Sequence, residues 1–198
     1  TDGRNLGARG QSLALIDLLE ERFEISRTIS GHVVHGEGRY ISTVLPSALV
    51  RSLVYRRDRM KWADRIVRLE ERLGAGDFIT GDPRGSADNI MAYADRFDDI
   101  GKLLRAVENT DVVVINGEGS GIFGPEFRRD LFFYLAMAEI GLRLDKPVFY
   151  VNTIFSDSPV AGRDEARLAA AEDVLRRCTG VQTRDARSVD YAAETMPS

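Results

Sequence analysis

At 198 residues, 43% hydrophobic and 29% charged, the chain has the composition of a soluble globular domain, long enough to bury a core without disulfides or a structural metal. A formal net charge of −4 argues against a nucleic-acid-binding surface. No apolar run approaches the ~18 to 20 residues of a membrane-spanning helix. The single cysteine, Cys178, rules out an internal disulfide and a cysteine zinc site and fits a reducing compartment. The opening Thr1-Asp2-Gly3-Arg4-Asn5 is polar, unlike a secretory leader, and carries no initiator Met. A cytoplasmic location is expected.

In chain order, a glycine- and arginine-rich loop is expected over residues 3–10, followed by a helix over 10–23 with Leu13, Leu15, Ile16, Leu18 and Leu19 forming a broad apolar stripe. Residues 24–34 read as a strand ending in His32 and His35. On a strand those two rings point to opposite faces, and no third ligand of the usual kind accompanies them, so no metal site is expected. Apolar residues recur at helical spacing over 45–73, and Gly74-Ala75-Gly76 ends that run. Within it, residues 51–72 form a basic amphipathic stretch that includes Arg56, Arg57 and Arg59. Such a face can lie on an anionic membrane as a peripheral contact. The favoured reading is that its Trp62-to-Leu73 stripe packs inward and its arginines are solvated.

Residues 81–86 are expected to be a loop, and residues 89–108 a helix broken near Gly101. The second half is more legible. Asp111-Val112-Val113-Val114-Ile115 is a continuous β-branched run of the kind that forms a strand covered on both faces. A helix over 125–144 is expected to carry Pro125 in its first turn. Then come a buried strand over 147–152, a helix over 163–178, a strand over 181–184, and a last helix started by Asp185. This alternation predicts an α/β domain, Rossmann-like and three-layered, with a mainly parallel sheet.

Ligands of such sheets bind at strand carboxyl ends. Three such ends are visible. After the first strand comes Asn116-Gly117-Glu118-Gly119-Ser120-Gly121-Ile122-Phe123-Gly124. Its glycines match neither the dinucleotide fingerprint nor a Walker loop. Glu118 would repel a phosphate, whereas a carboxylate there suits a sugar hydroxyl, which it can bind or deprotonate. A functional loop is preferred over a glycine turn with Glu118 facing solvent. The second strand leads into Asn152-Thr153-Ile154-Phe155-Ser156-Asp157-Ser158-Pro159, polar enough for a ligand but equally compatible with a turn whose Ser and Asp bond the local backbone. At the third end Asp185 reads as a helix cap, and Arg184 either holds an anion or pairs with Asp185. Cys178, at the end of an alanine-rich helix, reads as a small buried residue rather than a nucleophile.

Taken together, Asn5-Leu6-Gly7 ahead of an apolar helix, the run Asp111 to Ser120, Lys146-Pro147-Val148 with Asn152, and Thr183-Arg184-Asp185 with Ser188 resemble the polysaccharide pyruvyl transferase family in order and spacing. The region 36–88 matches poorly. The resemblance implies one Rossmann-like half of a glycosyltransferase-B fold. It further implies transfer of pyruvate from phosphoenolpyruvate, as co-substrate, to a sugar hydroxyl of a polysaccharide or its lipid-linked precursor. On this reading residues 1–198 form a single N-terminal domain that lacks the family's second domain, in which most of the donor site would lie. Glu118 is the candidate catalytic residue, and Asn5, Gly117, Gly119, Ser120, Asn152, Ser156 and Arg184 are the candidate substrate-binding residues. No metal or other cofactor is expected. The alternatives are a sugar-nucleotide-dependent glycosyltransferase and a non-catalytic ligand-binding domain on the same fold.

Overall fold

The computed structural model describes residues 6–29, 78–95 and 97–196. Their elements, in chain order, are α1 (Leu6–Glu20), α2 (Pro83–Tyr93), α3 (Asp98–Glu108), β1 (Val113–Asn116), β2 (Ile122–Phe123), α4 (Arg129–Arg143), β3 (Val148–Thr153), β4 (Ser156–Asp157), α5 (Glu165–Leu175), β5 (Gly180–Thr183) and α6 (Ala186–Thr195). Asn5, both histidines, the helical run 45–73 and the basic stretch 51–72 lie outside the described residues.

The larger sheet has the order β1-β3-β5 and is parallel throughout. Val113 pairs with Val148 and Asn116 with Val151, so β1 and β3 start level and β3 runs two residues past the end of β1, to Thr153. Between β3 and β5 the register slips: Tyr150 faces Val181, but Thr153 faces Thr183. β3 therefore carries one extra residue there, and Asn152 sits within it at φ 55°. Asparagine is one of the few side chains that visit this left-handed region readily. The bulge turns the end of β3 just where a ligand site is expected. A second, two-stranded parallel sheet joins Ile122 to Ser156 and Phe123 to Asp157.

Most of the core gathers around α4. Leu131, Phe132, Leu135, Ala136, Ala138 and Ile140 are all buried, and α4 packs on β1, β3, α2 and α5. Val148 and Tyr150 alternate with Phe149 and Val151 along β3, and only the first pair is fully buried. On the second face Val114 of β1 is 38% exposed. The expectation of a strand covered on both faces is thus corrected among the described residues: α4 covers one face of β1 and leaves Val114 open.

Several boundaries differ from expectation. α1 takes in residues 6–10 of the stretch expected as a loop, because Ala8, Arg9 and Gln11 favour helix strongly enough to carry it across Gly7 and Gly10; residues 3–5 of that loop lie outside the described residues. Residues 24–29 form no strand, and the remainder of that predicted strand is outside the described residues. The predicted loop over 81–86 is in fact a helix start. Asp82 caps α2 by accepting from the Arg84 and Gly85 amides at 3.1 and 3.0 Å, with Pro83 in the first turn. The break in the following helix falls between Tyr93 and Asp98, and Gly101 lies inside α3. Glycine is needed there for close approach, since a Cβ would sit 2.6 Å from the Ala94 carbonyl oxygen.

α4 starts at Arg129, so Pro125 lies ahead of the helix rather than in its first turn. The chain first forms β2, to which β4 later pairs, and Phe127 then stacks on Phe132 at 5.6 Å to set the approach. α5 ends at Leu175, three residues before Cys178. The turn that follows lets Thr179 bond Val148 through both its amide (2.8 Å) and its hydroxyl (3.1 Å), seating β5 beside β3. Asp185 caps α6 as expected, accepting from the Ser188 amide at 2.9 Å.

Candidate functional site

The loop after β1 is stitched to the end of β3. Gly117 donates its amide to the Val151 carbonyl at 2.9 Å, and the Ile154 amide donates to the Glu118 carbonyl at 3.0 Å. Gly117 lies directly on two fully buried side chains. A Cβ there would come within 2.6 Å of Tyr150 Cε1 and 2.8 Å of Thr153 Cβ. The next residue, Glu118, is left-handed at φ 46°. A glutamate in that conformation is strained unless its surroundings hold it. Here they do.

The Glu118 carboxylate accepts from the Ser12 hydroxyl at 2.6 Å. Ser12 in turn accepts from Asn116 Nδ2 at 3.0 Å, and Asn116 Oδ1 accepts from Asn152 Nδ2 at 2.8 Å. The chain of donors runs one way, from Asn152 through Asn116 and Ser12 to Glu118. It joins the carboxyl ends of β1 and β3 to α1. The third strand end reaches the same helix: Arg184 Nη1 donates to Gln11 Oε1 at 2.9 Å, while the Arg184 amide donates to the Thr153 carbonyl at 2.8 Å. The ends of β1 and β5 therefore meet one turn of α1 directly, and the end of β3 joins them through Asn116.

The structure brings Glu118, Asn152 and Arg184 together as one row. Gly117 supports that row from beneath. Gly119 stands open, since a Cβ there meets nothing within 4 Å. Ser120 turns its hydroxyl inward to the Gly117 carbonyl and closes the loop. Ser156 belongs to the second sheet, its amide donating to the Gly121 carbonyl at 3.1 Å, and it takes no part in the row's hydrogen bonds.

Reading the sequence missed Gln11 and Ser12. The signal available was a polar pair just ahead of the apolar stripe that begins at Leu13. Asn116 was visible as part of the loop but was not singled out. Tyr134 on α4 also borders the site. Burial, and after it the charges of Glu118 and Asp130, push its phenol up to about 12, so it stays protonated as a donor. Beneath Gly117, the Tyr150 and Thr153 hydroxyls are buried without a hydrogen-bond partner among the described residues. Burial raises the Tyr150 phenol strongly; Ser120 nearby pulls it back only in part, its own hydroxyl being aimed at the Gly117 carbonyl.

Cys178 is half-buried, and burial pushes its thiol up to about 11, which leaves little thiolate for nucleophilic work at neutral pH. Among the described residues no group of three or more His, Cys, Asp or Glu side chains is gathered that could hold a metal ion. None of the described helices is long and apolar enough to cross a membrane. No family model, curated protein or solved structure matches the chain.

Proposed function

We propose that this chain is the N-terminal, Rossmann-like half of a glycosyltransferase-B-type transferase, and that its strand-end row binds a sugar hydroxyl. The observation that carries the reading is the one-way hydrogen-bond chain ending on Glu118. Such a chain feeds donors toward one carboxylate oxygen and holds the left-handed loop in place. A ligand hydroxyl that approaches the carboxylate along the line the Ser12 hydroxyl takes can donate to it and be deprotonated. The amides of Asn116 and Asn152 supply neutral donors and acceptors of the kind that recognise polyols. Arg184, hydrogen-bonded through its side chain to the neutral Gln11 and with Asp185 beside it, can hold an anionic group.

The reaction class follows from the resemblance: pyruvyl transfer from phosphoenolpyruvate to a hydroxyl of a polysaccharide or its lipid-linked precursor, in polysaccharide biosynthesis in the cytoplasm. Glu118 is the proposed acid–base residue. Asn152 and Arg184 bind substrate, and the Gly117–Gly119 backbone shapes the loop.

The test uses the intact gene product. Calorimetric titration with phosphoenolpyruvate and with sugar nucleotides should show binding of the first and not of the second. Glu118→Gln should lower pyruvyl transfer at least 100-fold while the fold is retained. Binding of sugar nucleotides alone would reassign the protein as a glycosyltransferase. Binding of neither would make it a non-catalytic domain. A pyruvyl transfer rate unchanged in Glu118→Gln would remove any acid–base role for that residue.

A further inference from the structure

Two adjacent side chains of α1, Gln11 and Ser12, make polar contacts at the site. Ser12 is bonded as a ligand hydroxyl would be: it donates to a carboxylate and accepts from an amide N–H. Gln11 places a carbonyl oxygen on Arg184, as a ligand's carboxylate or carbonyl oxygen would. Neither residue is buried, and over residues 9–20 no side chain of α1 is buried. Its apolar side chains include Leu13 at 51% and Leu18 at 61% exposure, so residues 9–20 of α1 are not anchored through the core that α4 organises. Lifting such a helix costs little compared with lifting α4.

From this juxtaposition we infer that α1 is an autoinhibitory strap: Ser12 and Gln11 occupy the ligand subsites on Glu118 and Arg184, and a saccharide hydroxyl displaces them. The inference rests on the proposed saccharide reading of the site. It adds a regulatory step to it, because Ser12 and a ligand hydroxyl compete for the same Glu118 oxygen and the same Asn116 N–H. Apparent affinity is then reduced by the fraction of molecules in which α1 is docked. A Ser12 that instead positioned Glu118 permanently would have the opposite effect on binding when removed.

That difference in sign is the test. The full chain, Ser12→Ala and Gln11→Ala are titrated with a panel of methyl hexopyranosides and their N-acetylamino counterparts, with binding read by calorimetry. Amide hydrogen exchange across α1 is followed in parallel, and far-ultraviolet circular dichroism checks each fold. Ser12→Ala should bind about tenfold tighter, the factor expected when one hydrogen bond to a charged group no longer competes. Gln11→Ala should shift in the same direction. Saccharide binding to the unaltered chain should speed exchange in α1 and leave α4 unchanged. Equal or weaker binding by Ser12→Ala, with the unaltered chain still binding, overturns the strap alone. Tighter binding without faster α1 exchange also overturns it, since the hydroxyls would then exchange without the helix moving. If no saccharide binds the unaltered chain or either variant, the saccharide reading fails and the strap falls with it.

Discussion

Replacing Gly117 with alanine puts a methyl group where its carbon would lie 2.6 Å from Tyr150 Cε1, 2.8 Å from Thr153 Cβ and 2.9 Å from Thr153 Oγ1. Ordinary carbon contacts begin near ~3.5 Å, so the overlap approaches an ångström on two sides. Neither neighbour can withdraw: Tyr150 and Thr153 are fully buried, and Tyr150 forms part of the core around α4. The loop itself must lift, stretching the 2.9 Å bond from the Gly117 amide to Val151. Overpacking of this kind costs typically 1–3 kcal/mol, and about 2 kcal/mol is expected here. For a chain of this size that lowers Tm by ~4–8 °C. Gly119→Ala, two residues on, supplies the control. Its added carbon meets nothing within 4 Å and its φ is not left-handed, so the variant should equal the parent or gain up to ~1 kcal/mol from reduced unfolded-state entropy. Thermal melts of the three proteins by circular dichroism decide the matter. Equal Tm values for Gly117→Ala and Gly119→Ala would refute the packing described beneath the loop.

Two further outcomes are expected. Glu139 on α4 is 3% exposed and accepts from Arg143 and Arg177 at once, so Glu139→Gln turns an amide N–H toward a guanidinium and should cost about 2 kcal/mol in urea denaturation; a loss below ~0.5 kcal/mol would mean that Asp88 and Asp173 already satisfy the two arginines. Asp157 is held below the usual carboxylate range by Arg163 first and by the Tyr191 hydroxyl as well. Its folded pKa lies below its unfolded one, so its stabilisation is present above the unfolded value near ~3.9 and is lost as pH falls through the folded value. Asp157→Asn should therefore be less stable than the parent at pH 7, with the gap closing on acidification; a gap constant between pH 7 and pH 2 would show that the charge is not its source.

Elements whose causes are local were legible from neighbouring residues. A β-branched run made β1, a run of Val, Phe and Tyr made β3, and Asp185 capped α6 through a contact three residues away. The alternation of strand and helix was enough to predict parallel pairing and to point to the strand carboxyl ends, and so to Glu118, Asn152 and Arg184. Local chemistry misled where one pattern serves two structures: Asp82-Pro83 reads equally as a turn and as a helix cap, and here it is the cap. Only the tertiary structure decided what those strand ends meet. Ser12 reaches Glu118 across 106 positions and Gln11 reaches Arg184 across 173, separations at which periodicity and propensity carry no signal. The left-handed turns at Glu118 and Asn152 belong to the same class, since neither residue type requires that conformation on its own. They arise because the loop after β1 must bond the end of β3 while its glycine rests on Tyr150 and Thr153, a constraint that exists only once both strands lie side by side.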